Sequence, residues 1–430
     1  MNSEITIARP LGNYERYWHF LHQRRGFISV TAMQLDGEAL TPSILREALN
    51  ITQQSTPILQ AHISNTNKPS LVFNETSLIP FQVVDRISQD QWIEHTDIEL
   101  HQPLPINSAP RVRAKLLYSP KSNVSELIFT ADHTVVDGEV AIRILHDILT
   151  CSQKLIDLQT VTPPNNEFSI APIEELMPPE LVVTAKSSKK KPPRASQIPV
   201  QVACSNPKNR RTKIIHRKID NKKLKAFRLS CRKQKVAPHA TICAAAAMAS
   251  RVFVATPTSV TCASNVSLKK YCRTNGPQLS LSCFASIAPI TVPLSNQCSI
   301  FDVSRAYRSD LNDFISSKSP ISIAFQQFTP LHKFAVGYLL PRLNSGRLGG
   351  ITVSNLGKTR LKRDYGSFYL NNIILSSSID FIGAMIELVL GEIEGSLYLT
   401  FSYVEPLIDR QSMEKYVDEF TRIIDDSIII

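Results

Sequence analysis

The sequence Phe-Thr-Ala-Asp-His-Thr-Val-Val-Asp-Gly at residues 129–138 places a histidine, a carboxylate and a glycine at a predicted change of secondary structure. His133 lies where an alternating segment ends, and Asp137 and Gly138 lie where a helical pattern begins. Histidine is the side chain best suited to transfer protons near neutral pH. Connections between regular elements often carry functional groups. The stretch therefore predicts a functional histidine on a strand-to-helix turn.

The flanking sequence supports this local prediction. Residues 111–118 alternate between apolar and polar, residues 119–123 form a turn sequence, and residues 126–131 alternate again. Two alternating segments joined by a short polar turn predict a β-hairpin. After Gly138 the apolar residues recur at helical spacing, which predicts a helix that continues to about residue 158.

The pattern His-x-x-x-Asp-Gly at residues 133–138 resembles the signature of the condensation-domain and chloramphenicol-acetyltransferase-like acyltransferases. Residues 8–15, 56–61 and 354–357 resemble further segments of that superfamily, and its polyketide-associated acyltransferases of the phthiocerol dimycocerosyl transferase type are the most similar group. The chain departs from this pattern at Asp132, where many relatives have a second histidine. It also departs at residues 265–270, where relatives usually have an arginine.

The resemblance implies an α/β fold with two chloramphenicol-acetyltransferase-like lobes. Each lobe would be a mixed β-sheet with flanking helices, and an active-site tunnel would lie between the lobes. A length of 430 residues independently suggests two domains. We predict an N-terminal lobe at 1–160, a Pro/Lys-rich linker at 161–207 that contains three Pro-Pro pairs, and a C-terminal lobe at 208–430.

The resemblance also assigns roles to individual residues. His133 would be the general base, and no covalent acyl-enzyme would form. Asp137 would be structural and would pair with an arginine, with Arg342 and Arg347 as candidates. Gly138 would permit a close approach or an unusual dihedral angle, and its amide would help to bind an oxyanion.

Other polar residues have two open explanations. Ser354 and Asn355 either face an oxyanion or the tunnel, or they mark a strand-to-turn boundary. Asp132 is either a surface carboxylate, which we favour, or an inward one that raises the pKa of His133. His19 and His22 share a helix face with polar neighbours and are predicted at the surface. No sequence motif for a metal site is present, and no bound cofactor is expected.

The net charge of +11 is concentrated in one segment. Residues 181–235 contain 18 lysines and arginines and a single acid, Asp220, whereas the rest of the chain has 30 basic and 36 acidic residues. A solvated linker and helix face would explain this segment. An anionic partner would explain it as well, such as an acidic acyl carrier protein, the phosphates of coenzyme A or a membrane surface. Nucleic acid is not expected, because Phe227 is the one aromatic residue among these charges.

The eight cysteines all lie from Cys151 onward and form no Cys-x-x-Cys pair. With no leader and no run of about 18 apolar residues, the sequence predicts a reduced cytoplasmic protein without a transmembrane segment.

The resulting functional hypothesis is an acyltransferase. It would move an acyl group from a thioester donor, either acyl-CoA or a phosphopantetheine-linked acyl carrier protein, to a hydroxyl acceptor. Two alternatives stay open: a free-standing condensation enzyme that forms amides, and a non-catalytic member of the superfamily that binds carrier proteins.

Overall fold

The structure is a computed structural model that describes residues 8–25, 27–37, 40–64, 66–73, 77–105, 110–161, 171–182, 198–254, 259–273, 283–294, 298–325 and 329–429. The predicted linker at 161–207 falls in part outside these ranges. The lysine-rich sequence at 186–191 within it lies wholly outside them.

The helices follow the chain in this order: α1 Asn13–Gln23, α2 Pro42–Ser55, α3 Gln91–Leu100, α4 Gly138–Ile156, α5 Ile173–Leu176, α6 Asn221–Lys233, α7 Pro238–Ala249, α8 Ile300–Ser316, α9 Ser319–Ala324, α10 Pro330–Phe334 and α11 Arg410–Asp426. The strands are β1 Ala8–Pro10, β2 Ile28–Gly37, β3 His62–Ile63, β4 Ser70–Val72, β5 Phe81–Asp85, β6 Val112–Tyr118, β7 Val124–Asp132, β8 Arg211–Ile219, β9 Ser259–Ser267, β10 Ala285–Pro293, β11 Arg347–Lys358, β12 Phe368–Ser377, β13 Gly383–Ile393 and β14 Ser396–Glu405.

Three of these elements match their predictions closely. The hairpin of β6 and β7 and the helix that follows Gly138 are confirmed. Thr41 caps α2, because its hydroxyl accepts a hydrogen bond from the amide of Ile44 at 3.3 Å. The final helix buries an apolar stripe of Met413, Tyr416, Val417, Phe420, Ile423 and Ile424.

The chain forms two compact units. The first comprises residues 1–178, 271–284 and 358–377. Its main sheet has the strand order β12-β2-β7-β6-β5, with one parallel pair, β5 and β6, and three antiparallel pairs. A small second sheet has the order β1-β4-β3. In the main sheet Ile28 of β2 lies opposite Asp132, so the end of β7 is held by its neighbouring strand.

The second unit comprises residues 179–270, 285–357 and 378–430. Its sheet has the order β10-β9-β11-β13-β14-β8, and it is mixed because β9 pairs parallel to β11 and antiparallel to β10. Helix α7 packs against α8 and α11 in the core of this unit. The run Ala244–Ala247 is fully buried and allows this close packing. The predicted α/β class with a mixed sheet in each unit is confirmed.

The units differ from the predicted ranges in that each contains separate parts of the chain. β12 comes from the C-terminal half of the sequence but pairs with β2 across its whole length. Residues 271–284 also belong to the first unit.

No individual helix in the described part of the chain combines the length and apolar character needed to cross a membrane. One bent pair, Asn221–Lys233 with Pro238–Phe253, satisfies that test by length and composition alone.

Candidate functional site

His133 lies on the turn between β7 and α4. Its backbone amide donates a hydrogen bond to the Phe27 carbonyl at 3.3 Å. The carbonyl of Asp132 accepts from the amides of Val135 and Val136, both at 3.1 Å, which closes the turn. The predicted strand, turn and helix are therefore present around this histidine.

The half-buried imidazole of His133 is held on one face and at one nitrogen. The indole of Trp18 stacks on the ring with centroids 4.8 Å apart and an angle of 7° between the planes. The Sγ of Cys283 lies 3.7 Å from Nδ1. Within the residues that the structure describes, Nε2 has no hydrogen-bonding partner. The arrangement leaves that nitrogen available for an incoming group.

Asp137 is the N-terminal cap of α4, and its partners differ from the expected arginine. One carboxylate oxygen accepts from the amide of Val140 at 2.9 Å, which caps α4, and the other accepts from the amide of Phe284 at 3.2 Å. Arg347 instead donates to backbone carbonyls of its own unit, including those of Ala384 and Ile379. The Asp137 carboxylate is thus satisfied by two backbone amides, whereas the resemblance implied an ion pair with an arginine.

Gly138 is the first residue of α4 and has a helical conformation rather than a positive φ. The predicted unusual dihedral angle is therefore absent. Its position at the helix start places its amide among the groups that an α-helix leaves without an intrahelical acceptor.

The favoured explanation of Asp132 as a surface carboxylate is wrong. Its side chain is fully buried and pairs with the equally buried guanidinium of Arg111, with Nη2 at 2.6 Å and Nε at 3.0 Å from the same oxygen. The other oxygen accepts from the Thr134 amide at 2.9 Å and lies 3.4 Å from Nδ1 of His22. The carboxylate points into this cluster.

Electrostatics in the cluster favour the ionised carboxylate. Burial alone would raise the pKa of Asp132, but the charges of His22 and Arg111 and the hydrogen bond from Thr134 outweigh it. The pKa of Asp132 is held well below its usual range.

His19 and His22 are also buried, contrary to the surface prediction. His22 contacts the carbonyl of Leu104 through Nε2 at 3.1 Å, and His19 contacts the side-chain amide of Gln23 at 3.0 Å. Burial lowers the pKa of His19 to about 4. The negative charge of Asp132 opposes this effect, and the positive charges of Arg111 and His22 add to it. The polar face of α1 therefore faces the interior, where the ion pair lies.

Ser354 and Asn355 lie on β11 in the second unit. The Asn355 side-chain oxygen accepts from the amide of Gly357 at 2.8 Å, so its NH₂ group points to Nδ1 of His239 at 3.2 Å. The Ser354 hydroxyl has no hydrogen-bonding partner in the described ranges. The structure thus gives Asn355 a definite partner that the sequence did not reveal.

His239 begins a buried network that sequence reasoning missed. Since Nδ1 accepts from Asn355, Nε2 carries the proton and donates to Ser264 Oγ at 2.7 Å. Ser264 contacts the Tyr307 hydroxyl at 2.6 Å, and that hydroxyl donates to the Cys262 carbonyl at 3.3 Å. A signal was present at the start of α7, where a polar histidine follows proline in an otherwise apolar helix.

A cavity of about 490 Å³ opens beside this network in the second unit. His239, Ser264, Lys269 and Lys270 line its polar side, and Leu311 and Ile315 line its apolar side. Across the parts of the chain that the structure describes, no three His, Cys, Asp or Glu side chains form a potential metal site.

The buried ion pair predicts the effect of neutralising Asp132. The change Asp132→Asn leaves the Arg111 guanidinium buried without its counter-charge, so the free energy of unfolding should fall by about 3–5 kcal/mol. Denaturant unfolding at pH 7 measures this change. Asp90→Asn is the control, because Asp90 is exposed and its side chain makes no capping bond, and it should alter stability by less than about 0.5 kcal/mol. An equal loss of unfolding free energy in the two variants would contradict the assignment of Arg111 and Asp132 as a buried ion pair.

The pKa of His19 predicts a pH dependence of stability. Between pH 6.5 and about 4 the unfolded chain binds a proton at His19 that the folded chain does not, so stability falls as pH falls. The loss should approach about 3 kcal/mol at pH 4, and His19→Gln should remove it. Unfolding curves across this pH range test the difference. The control His332→Gln should keep the wild-type slope, and an unchanged slope in His19→Gln would refute the prediction.

No protein-family model matches the sequence, and no curated protein matches it. Solved structures do match. The epimerization domain from the third module of tyrocidine synthetase B has a TM-score of 0.72 and 12% identity, and the match covers 100% of this chain and 97% of that one. Polyketide synthase associated protein 5 from Mycobacterium tuberculosis has a TM-score of 0.66 and 13% identity, with 97% and 98% covered.

The trichothecene 15-O-acetyltransferase from Fusarium sporotrichioides has a TM-score of 0.71 and 9% identity, with 99% and 96% covered. At such low identities the matches establish the fold, and they extend over nearly the whole chain. The resemblance read from residues 133–138 is confirmed at that level: the chain shares its fold with the epimerization domain, the polyketide synthase associated protein and the acetyltransferase.

Proposed function

We propose that this protein is an acyltransferase that moves an acyl group from a thioester to a hydroxyl acceptor, with Nε2 of His133 as the general base. The observation that carries the proposal is the setting of the imidazole. Trp18 fixes its plane, Cys283 occupies Nδ1, and Nε2 has no partner in the described structure. A general base needs a fixed position within hydrogen-bond reach of the proton that it removes.

The proposed reaction has two steps. The acceptor hydroxyl transfers its proton to Nε2 as its oxygen attacks the thioester carbon, which gives a tetrahedral oxyanion. The carbon–sulfur bond then breaks, and the proton on Nε2 moves to the departing thiolate. The acyl group passes directly between the substrates, so no covalent acyl-enzyme forms.

One side-chain contact and one backbone amide support this route. For Nε2 to accept a proton, Nδ1 must carry one, and the sulfur of Cys283 is placed to accept that hydrogen bond. Gly138 starts a helix of 19 residues, and the positive end of a helix dipole favours negative charge. We assign the Gly138 amide to the oxyanion.

The solved structures of similar fold support the class of chemistry. They include an enzyme named for O-acetyl transfer and a protein named for its association with polyketide synthase, which favours ester formation. Condensation domains of similar fold favour amide formation as the second candidate. We propose acyl-CoA or an acyl carrier protein as the donor, the latter attracted by the basic segment at 181–235. The eight free thiols suit a reducing, cytoplasmic setting.

Removal of the base should abolish most turnover. His133→Ala should lower kcat by about 100-fold to 10,000-fold, because one positioned acid–base group contributes that much. Thioester cleavage is followed by detection of free thiol, with alcohol and with amine acceptors in parallel. His101→Ala, also in the first unit, is the control and should keep the wild-type rate. More than a tenth of wild-type kcat in His133→Ala would refute the base assignment, and no turnover by the wild type would favour a binding protein.

Removing the contact of Cys283 with His133 should lower kcat less than removing the imidazole does. A neutral hydrogen bond contributes about 1 kcal/mol, so Cys283→Ala should lower kcat by about three- to tenfold with KM nearly unchanged. Cys283→Ser keeps a polar atom beside Nδ1 and should retain most of the rate. Steady-state kinetics are measured across pH. A change in the orientation of the His133 imidazole shifts the pH–rate profile, whereas a loss of folded protein lowers the rate without shifting it. A wild-type profile in Cys283→Ala would show that Nδ1 needs no partner.

A further inference from the structure

One face of α6 is cationic and exposed along the whole helix. It consists of Lys222, Lys225, Leu229, Arg232 and Lys233. Lys235 lies two residues after the end of the helix, and we call these six residues the α6 basic face. At 100° per residue, the five helical positions fall within an arc of about 100°. We propose that the α6 basic face docks an acidic helical protein.

The acids near α6 are already used by other residues. Lys223 pairs with Asp425, and Arg228 binds both oxygens of Glu392 at 3.0 and 2.5 Å. Asp220 caps the helix by accepting from the Lys223 amide at 2.8 Å. In the described ranges, none of the five cations of the α6 basic face has a carboxylate partner. No ion pair among the described residues offsets their mutual repulsion, and an acidic surface would offset it.

The opposite face of α6 is committed to the core. Leu224, Phe227 and Cys231 are buried and belong to the core of the second unit. Because this apolar face is covered, α6 has no apolar side to insert into a lipid surface. The buried Phe227 also cannot stack on a base, so the face suits single-stranded nucleic acid poorly. These two facts favour a protein partner.

Leu229 indicates how such a partner would bind. It is 50% exposed and lies near the middle of the arc, with cations on both sides. Protein interfaces combine an apolar centre with a polar rim. The helix is about 20 Å long, which matches one helix of a small partner. A short acidic helix with an apolar residue facing Leu229 would complement the surface in shape and charge.

The inference depends on the proposed function only for the choice of probe, since a carrier protein would bring a thioester donor. The probe is a purified acyl carrier protein, and its affinity for the full-length chain is measured by titration calorimetry at low and high salt. The test variant is Lys222→Glu, Lys225→Glu and Lys233→Glu together. The matched control, Lys121→Glu, Lys318→Glu and Lys415→Glu, changes three exposed lysines outside the basic segment at 181–235 and gives the same net charge.

We expect the test variant to bind at least about tenfold more weakly at low salt, and the control to bind within about twofold of wild type. Leu229→Asn should weaken binding at both salt concentrations, because an apolar contact is not screened. Thermal unfolding confirms that each variant is folded. Both triple variants should turn over a small synthetic thioester at the wild-type rate, so a failure of docking is separate from a failure of the proposed chemistry.

Three results would overturn the proposal. The first is no binding of the carrier protein, or equal binding by the test variant and the wild type. The second is equal weakening in the test and control variants, which would reduce the effect to net charge. The third is binding of phosphatidylserine vesicles or a single-stranded DNA oligonucleotide that requires the α6 basic face while the carrier protein does not bind.

Discussion

The buried ion pair of Arg111 and Asp132 determines how the first unit presents its histidine. A charge in the interior is tolerated when its partners are close and its remaining hydrogen bonds are made. Asp132 meets both conditions, because Arg111, His22 and the amide of Thr134 surround its two oxygens. Its carbonyl also closes the turn that follows. Since side chains alternate along a strand, fixing Asp132 inward turns the next residue, His133, away from the cluster.

Local sequence predicted much of this unit. Alternation predicted the hairpin, and apolar spacing predicted α4, because these patterns depend on residues close together in the chain. The motif also located the turn that carries His133. What local sequence could not give was the environment of Asp132, because Arg111 directly precedes the neighbouring strand β6 and His22 lies on a distant helix. Polar neighbours on α1 indicated a wet surface, whereas the structure shows that they face a buried charge.

The same limit applies to sheet order. β12 lies more than 300 residues from β2, and nothing in its own sequence identifies that strand as its partner. The prediction of a continuous C-terminal lobe failed for this physical reason: hydrogen bonds between strand edges do not depend on sequence distance. The partners of Asp137 show the limit on a smaller scale. A carboxylate at a helix start can be satisfied by amides, and here the amide of Phe284 takes the place expected for a guanidinium.

Two histidines in the chain are held by different means, and the contrast separates their chemistry. His239 receives a hydrogen bond from Asn355 at Nδ1 and donates one to Ser264, so both of its nitrogens are committed. His133 has a thiol at one nitrogen and, in the described structure, nothing at the other. A thiol is a weak hydrogen-bonding group, so it can orient the ring without strongly fixing its protonation state. Proton transfer needs a nitrogen that can gain and lose a proton without breaking a network. Of these two buried networks, the one around His133 has that property, and the one around His239 is suited to holding the end of β11 in place.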